Sequence, residues 1–225
     1  MGLRRALGKA AGKIVPLFMY KNLVGANRTL RRLLTGYNDS HKILNIGAGD
    51  TRYTKSIINM DIFPGRNVDV VSRAEDLPFD DDSFDLVICQ DVIEHVNDLE
   101  KVHAEIKRII KPGGRLYIQI PFMFPFHHSP DDHFRFTING AQAFFKDFDL
   151  VDKGVCCGPT IALANAIAAW FSIALSFNIG LLRRLIWFLM RLVLTPLIFL
   201  DLLLSRLKFA YYFASEIYFI GQKRG

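Results

Sequence analysis

Two glycines in the stretch "KILNIGAGDTRY", Gly47 and Gly49, follow a short apolar run and precede Asp50. Glycines at the first turn of an open α/β sheet let the backbone approach a ligand closely. A dinucleotide-binding turn has a third glycine, but Arg52 holds that position, and Asp50 would set a carboxylate against a pyrophosphate. The pattern therefore disfavours NAD and FAD, and it favours a ligand with a ribose and an ammonium group but no phosphate.

The next chemically informative residue is Asp61, at the end of the strand-like run "IINMDIF". A carboxylate at this place in an α/β sheet can bond both hydroxyls of a ribose. The alternative is a surface acid in the turn before Pro64-Gly65. Its position after the glycine turn favours the ribose role.

These residues require a sheet to position them, and residues 42–120 supply its pattern. Short apolar runs such as "KILNI", "VDVV", "FDLVICQ" and "RLYIQI" alternate with helical or glycine-containing stretches. Such alternation predicts a mainly parallel sheet with helices between its strands. "KPGG" predicts a helix stop and a tight turn, and "TINGAQAFFKD" predicts a helix capped by Thr137. "FDLVDKGVCC" and "EIYFIGQK" predict two further strands.

The length and the net charge limit what the rest of the chain can form. The 225 residues suffice for one α/β domain with additional structure, and the formal net charge is +6. Eight lysines and arginines precede the first acid, Asp39, so residues 1–40 are expected to form a basic helical arm. This arm is either a solvated helix face or a contact for anionic lipid or nucleic acid. The three cysteines show no disulfide spacing and are expected to be structural.

Four motifs together resemble the class I S-adenosylmethionine-dependent methyltransferases, within a group of small methyltransferase-domain proteins with a similar loop after the fifth strand. The motifs are "ILNIGAGD", "NMDIF", "AEDLPFDDDSFDLVICQDVIEHV" and "KPGGRLYIQIPF". The resemblance implies a Rossmann-like α/β fold whose last strand is antiparallel. It also implies S-adenosylmethionine as cofactor.

The resemblance assigns cofactor contacts residue by residue. The glycine turn would lie under the methionine part and the ribose, Asp61 would hold the ribose, Ala74 and Glu75 would frame the adenine, and Gln90 would face the methionine end. Two residues depart from the family pattern. Asn45 stands where an acid is common in the first strand, and Arg73 stands where an acid is often found just before "AEDLPF". The expected cofactor-binding residues are Asn45, Gly47, Ala48, Gly49, Asp61, Ile62, Ala74, Glu75 and Gln90.

Methyl transfer from a sulfonium is an in-line displacement, so alignment of the acceptor matters most, and some acceptors also need a base. The candidates are Asp91, His127, His128, Asp132, His133 and Arg135. The alternatives for "HHSPDDH" are a polar loop that satisfies its own backbone and a metal site of His127, His128, Asp131 and His133. We expect no metal, and we expect Glu94-His95 to be structural.

Residues 154–210 differ from the remainder by their apolar character, and they divide the predicted core into residues 41–153 and 211–225. "TIALANAIAAWFSIALSF" reaches the length of a membrane-spanning helix, and a second apolar segment follows. A hairpin over residues 160–204 would place Arg183 and Arg184 on the far side, against the positive-inside tendency. We therefore expect helices in the interface at the cytoplasmic membrane face, with burial or an oligomer contact as the alternative.

These observations predict a cytoplasmic, peripheral membrane methyltransferase acting on a small-molecule, lipid or lipid-linked acceptor. One alternative is a soluble small-molecule or glycan methyltransferase whose apolar helices mediate oligomerisation. Another is a non-catalytic membrane-associated module that keeps the fold, since fold alone does not prove activity. A nicotinamide oxidoreductase is disfavoured by Arg52. Nucleic-acid modification is not expected, because the core has no stripe of aromatic and basic residues.

Overall fold

A computed structural model describes residues 27–127 and 131–225, which fall into two compact units. The unit of residues 30–155 and 216–225 is built on one seven-stranded sheet in the order β3-β2-β1-β4-β5-β7-β6. Neighbouring strands from β3 to β5 are parallel, and β7 is antiparallel to β5. The predicted α/β fold with an antiparallel last strand is confirmed. The strands are β1 Ile43–Ile46, β2 Ile57–Asp61, β3 Val70–Val71, β4 Phe84–Gln90, β5 Ile110–Pro121, β6 Phe148–Cys157 and β7 Glu216–Lys223.

The core of this unit surrounds the central strands. All four residues of β1 are buried, and β4 is buried over most of its length, as expected for parallel strands covered on both faces. Helix α1 (Arg28–Leu34) adds Leu30 to a cluster with Ile43, Leu86 and Tyr117. The predicted arm lies largely outside the described residues, and α1 is its described helix.

Two of the expected crossover helices form as the sequence indicates. Helix α2 (Leu99–Ile109) joins β4 to β5 and is capped by Asp98, whose side chain accepts from the Lys101 N–H. Helix α3 (Ile138–Phe144) joins β5 to β6. The predicted Thr137 cap is confirmed, because its hydroxyl accepts from the Gly140 N–H at 3.0 Å.

The connection from β1 to β2 departs from the expected pattern. Residues 47–56 form turns and contain no helix, and β2, β3 and β4 also follow one another without an intervening helix. A helical crossover usually needs a dozen or more residues, and the connection from β1 to β2 is shorter than that. The glycine turn is therefore a loop that is not continued by a helix.

The segment "KPGG" is an irregularity within β5, where the sequence predicted a turn before the strand. Ile110 pairs with Phe84 and Arg115 pairs with Leu86, so β5 contains extra residues opposite a short step of β4. Gly113 has a φ of +77°, and a Cβ on Gly114 would lie 2.9 Å from the Lys111 carbonyl oxygen. Both glycines are needed for this bulge.

The second unit contains residues 156–215, and its described helices are α4 (Pro159–Ala174), α5 (Gly180–Leu194) and the single turn α6 (Asp201–Leu204), with 3₁₀ turns at Thr195–Leu200 and Ala210–Phe213. Helix α4 has 16 residues, so it is shorter than the predicted 18-residue span. Residues Gly180–Leu204 form a continuous helical segment of 25 residues that is long and apolar enough to cross a membrane. Length and composition alone support that statement.

Helix α4 begins against a buried acid. The Asp201 carboxylate accepts from the Thr160 and Ile161 N–H groups, each at 2.9 Å, and Asp201 is fully buried. A Cβ on Gly158 would lie 2.5 Å from the Asp201 Cγ, so glycine makes this approach sterically permissible. Asp201 therefore supplies the acceptor that the first turn of α4 lacks locally.

Candidate active site

The glycine turn after β1 is shaped by two residues with left-handed backbone. Gly47 has a φ of +69°, and a Cβ there would lie 2.1 Å from Val92 Cγ2. Gly49 has a φ of +53°, and a Cβ there would meet no atom within 4 Å in the part of the chain that the structure describes. Gly47 thus permits close packing against Val92, whereas Gly49 borders open space. This open space is the kind of backbone surface a ligand can approach.

Asp61 ties the glycine turn to the end of β2. Its Oδ2 accepts from the Gly49 N–H at 2.8 Å, and its Oδ1 accepts from the Phe63 N–H at 2.9 Å. Because each carboxylate oxygen has two lone-pair positions, both oxygens keep capacity for ribose hydroxyls. The carboxylate is therefore fixed in place before any ligand binds.

Arg52 occupies the position of the missing third glycine and braces the loop. Its guanidinium donates to the Asn67 carbonyl at 3.0 Å and to the Asp69 carboxylate at 2.7 Å. Hydrogen bonds from the Asn59 N–H and from Arg52 lower the pKa of Asp69. A third glycine normally allows a helix to pack closely against the strand. Here no helix follows the turn, so that packing is not required, and Arg52 instead fastens the loop through its hydrogen bonds.

Asn45 belongs to β1 and pairs with Asn59 of β2. It is buried, and its side-chain amide donates to Asn59 Oδ1 at 3.2 Å. Asn59 in turn donates to the Thr51 and Asn67 carbonyls. This network supports the loop around the glycine turn, and a direct cofactor contact by Asn45 stays a prediction.

The predicted adenine residues lie at the neighbouring strand ends. Ile62 is exposed, whereas Ala74 and Glu75 are buried. Glu75 Oε1 accepts from Arg73 at 3.2 Å and from the Asn97 N–H at 3.4 Å. Arg73, which departs from the family pattern, is thus an ion-pair partner of Glu75, and the adenine contacts stay predictions.

Gln90 belongs to a row of polar side chains across the strand ends. Its Nε2 donates to Gln119 Oε1 at 2.9 Å, and the Tyr53 hydroxyl donates to its Oε1. Gln119 then donates to Glu216 Oε2 at 2.7 Å. Tyr53, Gln119 and Glu216 were not anticipated, because their contacts join a loop and two strands that are far apart in sequence. The row fixes the Gln90 amide at the edge where the cofactor was predicted.

The loop after β5 is organised around Asp132. Arg135 donates to both oxygens of this carboxylate, and the His127 N–H donates to it at 2.9 Å. Burial acts to raise the pKa of Asp132, but these hydrogen bonds outweigh it and lower the pKa to about 2. Asp132 and Arg135 therefore hold the loop, which agrees with the alternative of a self-satisfying polar loop for this pair. Candidate His128 lies outside the described residues.

Glu94, which the sequence indicated to be structural, lies beside the predicted acceptor-side residues. It lies with His95 in the 3₁₀ turn Ile93–His95 and is fully buried. Neither of its carboxylate oxygens has a hydrogen-bond partner within residues 27–127 and 131–225. Burial, followed by the nearby Asp91 charge, raises the pKa of Glu94 well above its usual value.

Two histidines flank this carboxylate. The Nε2 atoms of His95 and His127 lie 3.5 Å and 4.0 Å from Glu94 Oε1. Burial lowers the pKa of His127. The loop after β5 is held against this turn by the His133 N–H, which donates to the Glu94 carbonyl at 2.7 Å.

Asp91 is a predicted acceptor-side residue that directly follows β4. It has a φ of +53°, an uncommon conformation for a residue with a side chain.

Residues 35–118 match the family model described as a methyltransferase domain. An uncharacterised methyltransferase, YcgJ, from Bacillus subtilis is 30% identical over 115 residues, which cover 41% of this chain and 43% of that protein. A UbiE ubiquinone/menaquinone biosynthesis C-methyltransferase from Pseudoalteromonas translucida is 44% identical over 62 residues, covering 27% and 24% of the two chains.

Among solved structures, a methyltransferase from Thermotoga maritima superposes with a TM-score of 0.55 at 18% identity. It covers 92% of this chain and 93% of its own. At that identity the likeness concerns the fold alone. The motif order, the domain match and the shared fold agree. The chain carries a class I S-adenosylmethionine-dependent methyltransferase domain.

The methyltransferase domain occupies the sheet-bearing part of the chain, and S-adenosylmethionine is its cofactor. The chain spans less than half the length of the two relatives above. The open backbone at Gly49 and the fixed Asp61 carboxylate fit this cofactor, since a ribose needs a fixed acceptor and close backbone approach. The acceptor is a separate question.

Proposed function

We propose that this chain transfers the methyl group of S-adenosylmethionine to a lipid or lipid-linked acceptor at the C-terminal edge of the sheet. The observation that carries the transferase part is the Asp61 carboxylate, held by the Gly49 and Phe63 N–H groups beside open space. When bound, the cofactor supplies an electrophilic methyl group. The work of the chain is to hold reactants in line and to exclude water.

The residues of the edge divide this work. Asp61 and the Gly47–Gly49 backbone hold the ribose end, and the row through Gln90 orients the methionine end. Asp132 and Arg135 shape the loop, because their charges neutralise one another. Asp91, His127 and His133 are left as the predicted side chains that contact the acceptor.

The second unit by itself supports a lipid as the chemical class of the acceptor. Its most exposed large side chains include Phe177 and Leu181, at 79% and 80% exposure, and α5 has no buried residue. Apolar surface of this extent is typical of a membrane or protein contact. Because Arg183, Arg184 and Arg191 also lie on α5, we assign it to the headgroup region at the cytoplasmic membrane face.

The deciding experiment uses S-adenosylmethionine with a labelled methyl group, purified full-length chain and an extract of whole cells. Label is counted in the organic, aqueous and macromolecular phases. We expect label in the organic phase. Label only in the aqueous phase would keep the transferase and overturn the lipid acceptor.

The matched control is Asp61→Ala, which removes the ribose acceptor and leaves the loop after β5 unchanged. It should lose cofactor binding in calorimetry and label in every phase. Unchanged cofactor binding in this variant would overturn the assigned site. Normal binding by the unmodified chain with no label in any phase would instead favour the non-catalytic membrane-associated module.

A further inference from the structure

Three side chains beside the predicted acceptor site form a cluster, and the function proposed above uses His127 of these three but neither Glu94 nor His95. Glu94, His95 and His127 each offer one ligand atom, and these atoms all lie within 4.8 Å of one another. The distances from Glu94 Oε1 to the two imidazole Nε2 atoms are 3.5 Å and 4.0 Å. Two ligands of a tetrahedral zinc ion at 2.0–2.1 Å are separated by about 3.4 Å, so the spacing suits atoms that share one ion.

His95 is oriented through its other ring nitrogen, because Nδ1 contacts the backbone carbonyl of Asp131. His127 Nδ1 lies 3.3 Å from Asp132 Oδ2 but makes no hydrogen bond within the described residues. A carbonyl only accepts, so His95 Nδ1 carries a proton, and its Nε2 is the ring nitrogen on the side of Glu94. An oxygen acceptor on the far nitrogen is the usual support of a metal-binding histidine.

The buried carboxylate requires a partner. Glu94 is fully buried, and both its oxygens are unpaired within the described residues. A direct hydrogen bond to His127 is not made, because 4.0 Å exceeds hydrogen-bond length. A buried carboxyl group is otherwise hydrogen-bonded, paired with an opposite charge or bound to a metal.

We propose that Glu94, His95 and His127 bind a first-row divalent transition-metal ion. Two imidazoles and one carboxylate suit Zn²⁺, Fe²⁺ or Mn²⁺ better than Mg²⁺ or Ca²⁺, which prefer oxygen ligands. Three protein ligands leave coordination positions open, which is the arrangement of catalytic sites. A further step rests on the proposed function: a hydroxyl of the acceptor would take an open position, where the ion lowers the pKa of that hydroxyl. The oxygen would release its proton to solvent and form a bond to the methyl group as the carbon–sulfur bond breaks and S-adenosylhomocysteine leaves.

The test uses untagged full-length chain dialysed against a chelator and titrated with Zn²⁺, Mn²⁺ and Mg²⁺ in a calorimeter, without cofactor or acceptor. We expect one Zn²⁺ per chain and much weaker Mg²⁺ binding. His95→Ala and His127→Ala should each weaken Zn²⁺ binding by more than about 100-fold, because loss of a ligand exceeds loss of an outer-shell partner. His41→Ala is the matched control, since His41 lies before β1 and bonds Asn38.

Circular dichroism verifies that each variant is folded, and Co²⁺ substitution provides a second measurement through its visible spectrum. Absence of Zn²⁺ binding by the unmodified chain would overturn the site. Equal loss in His41→Ala, or none in His95→Ala and His127→Ala, would do the same. Because metal binding is measured without methyl transfer, the site can be confirmed even if the proposed acceptor fails.

Discussion

At the scale of single residues, Gly49 and Gly113 provide a matched pair. Both have left-handed backbone, with φ of +53° and +77°, and among residues 27–127 and 131–225 neither has a neighbour that would block a Cβ. Each alanine substitution should therefore lower the free energy of unfolding by about 1–2 kcal/mol. The two glycines differ in location. The Gly49 N–H donates to Asp61 in the candidate site, whereas Gly113 lies in the β5 bulge.

We predict that Gly49→Ala weakens S-adenosylmethionine binding at least about tenfold, or 1.4 kcal/mol, because the added methyl group fills space that the ligand needs. Gly113→Ala should leave the affinity within a factor of about two. Calorimetric titration of both variants measures the difference. Equal affinities for the two variants would show that Gly49 does not face the cofactor.

At the scale of elements, α2 holds the segment that directly follows the predicted adenine residues Ala74 and Glu75. Glu105 accepts from the Leu77 N–H and from Arg108, each at 2.8 Å, and Arg108 donates to the carbonyls of Leu77 and Phe79. The hydrogen bonds from Arg108 are the main cause that lowers the pKa of Glu105. The pair thus fastens residues 77–79 to the helix.

Glu105→Gln should destabilise the fold by about 1–2 kcal/mol at pH 7. Since the folded pKa lies below the unfolded value, the stabilisation is present above the unfolded pKa and is lost as pH falls through the folded pKa. Urea unfolding from pH 7 to pH 3 should show the difference from the unmodified chain shrinking below about pH 4. The exposed Glu100→Gln on the same helix is the control, with a change under about 0.5 kcal/mol. A pH-independent difference would contradict the ion-pair explanation.

Helix α4 depends on a residue of a later element. Asp201→Asn leaves one oxygen for the two N–H groups of Thr160 and Ile161 and directs an amide donor at the helix start. We expect a loss of about 1–3 kcal/mol in local stability, read as faster hydrogen exchange over residues 162–168. Asp149→Asn, at an exposed ion pair with Arg224, should leave that exchange unchanged. Unaltered protection in Asp201→Asn would remove the capping role.

At the scale of the whole molecule, the proposed membrane association combines a net charge of +6 with the apolar surface of the second unit. The double substitution Phe177→Glu and Leu181→Glu places charge on that surface. It should abolish flotation with vesicles that contain anionic lipid, because interfacial binding scales with buried apolar area. Val151→Glu, on exposed strand β6, is the control. Flotation that persists in the double variant would contradict an interfacial α5.

Local pattern accounts for a large part of the fold. Strands β4, β6 and β7 have the predicted bounds, and the Thr137 cap is present, because apolar runs and capping residues act over a few neighbours. The helix-free connection after β1 was missed, since the glycine turn has the same local pattern whether or not a helix follows. The predicted cofactor residues can be tested individually, and the structure adds the hydrogen bonds that orient Asp61 and Gln90.

The sequence by itself determined the α/β class, the glycine turn and the place of Asp61 after it. Each of these depends on residue types at short spacing, where sterics and hydrophobic periodicity act locally. Only the tertiary structure brought His127 beside Glu94 and set Asp201 at the start of α4. Those contacts join distant segments, and the burial that leaves the Glu94 oxygens unpaired among the described residues arises only when the segments pack. Because Glu94 is buried there, its carboxyl group became the centre of the candidate metal site.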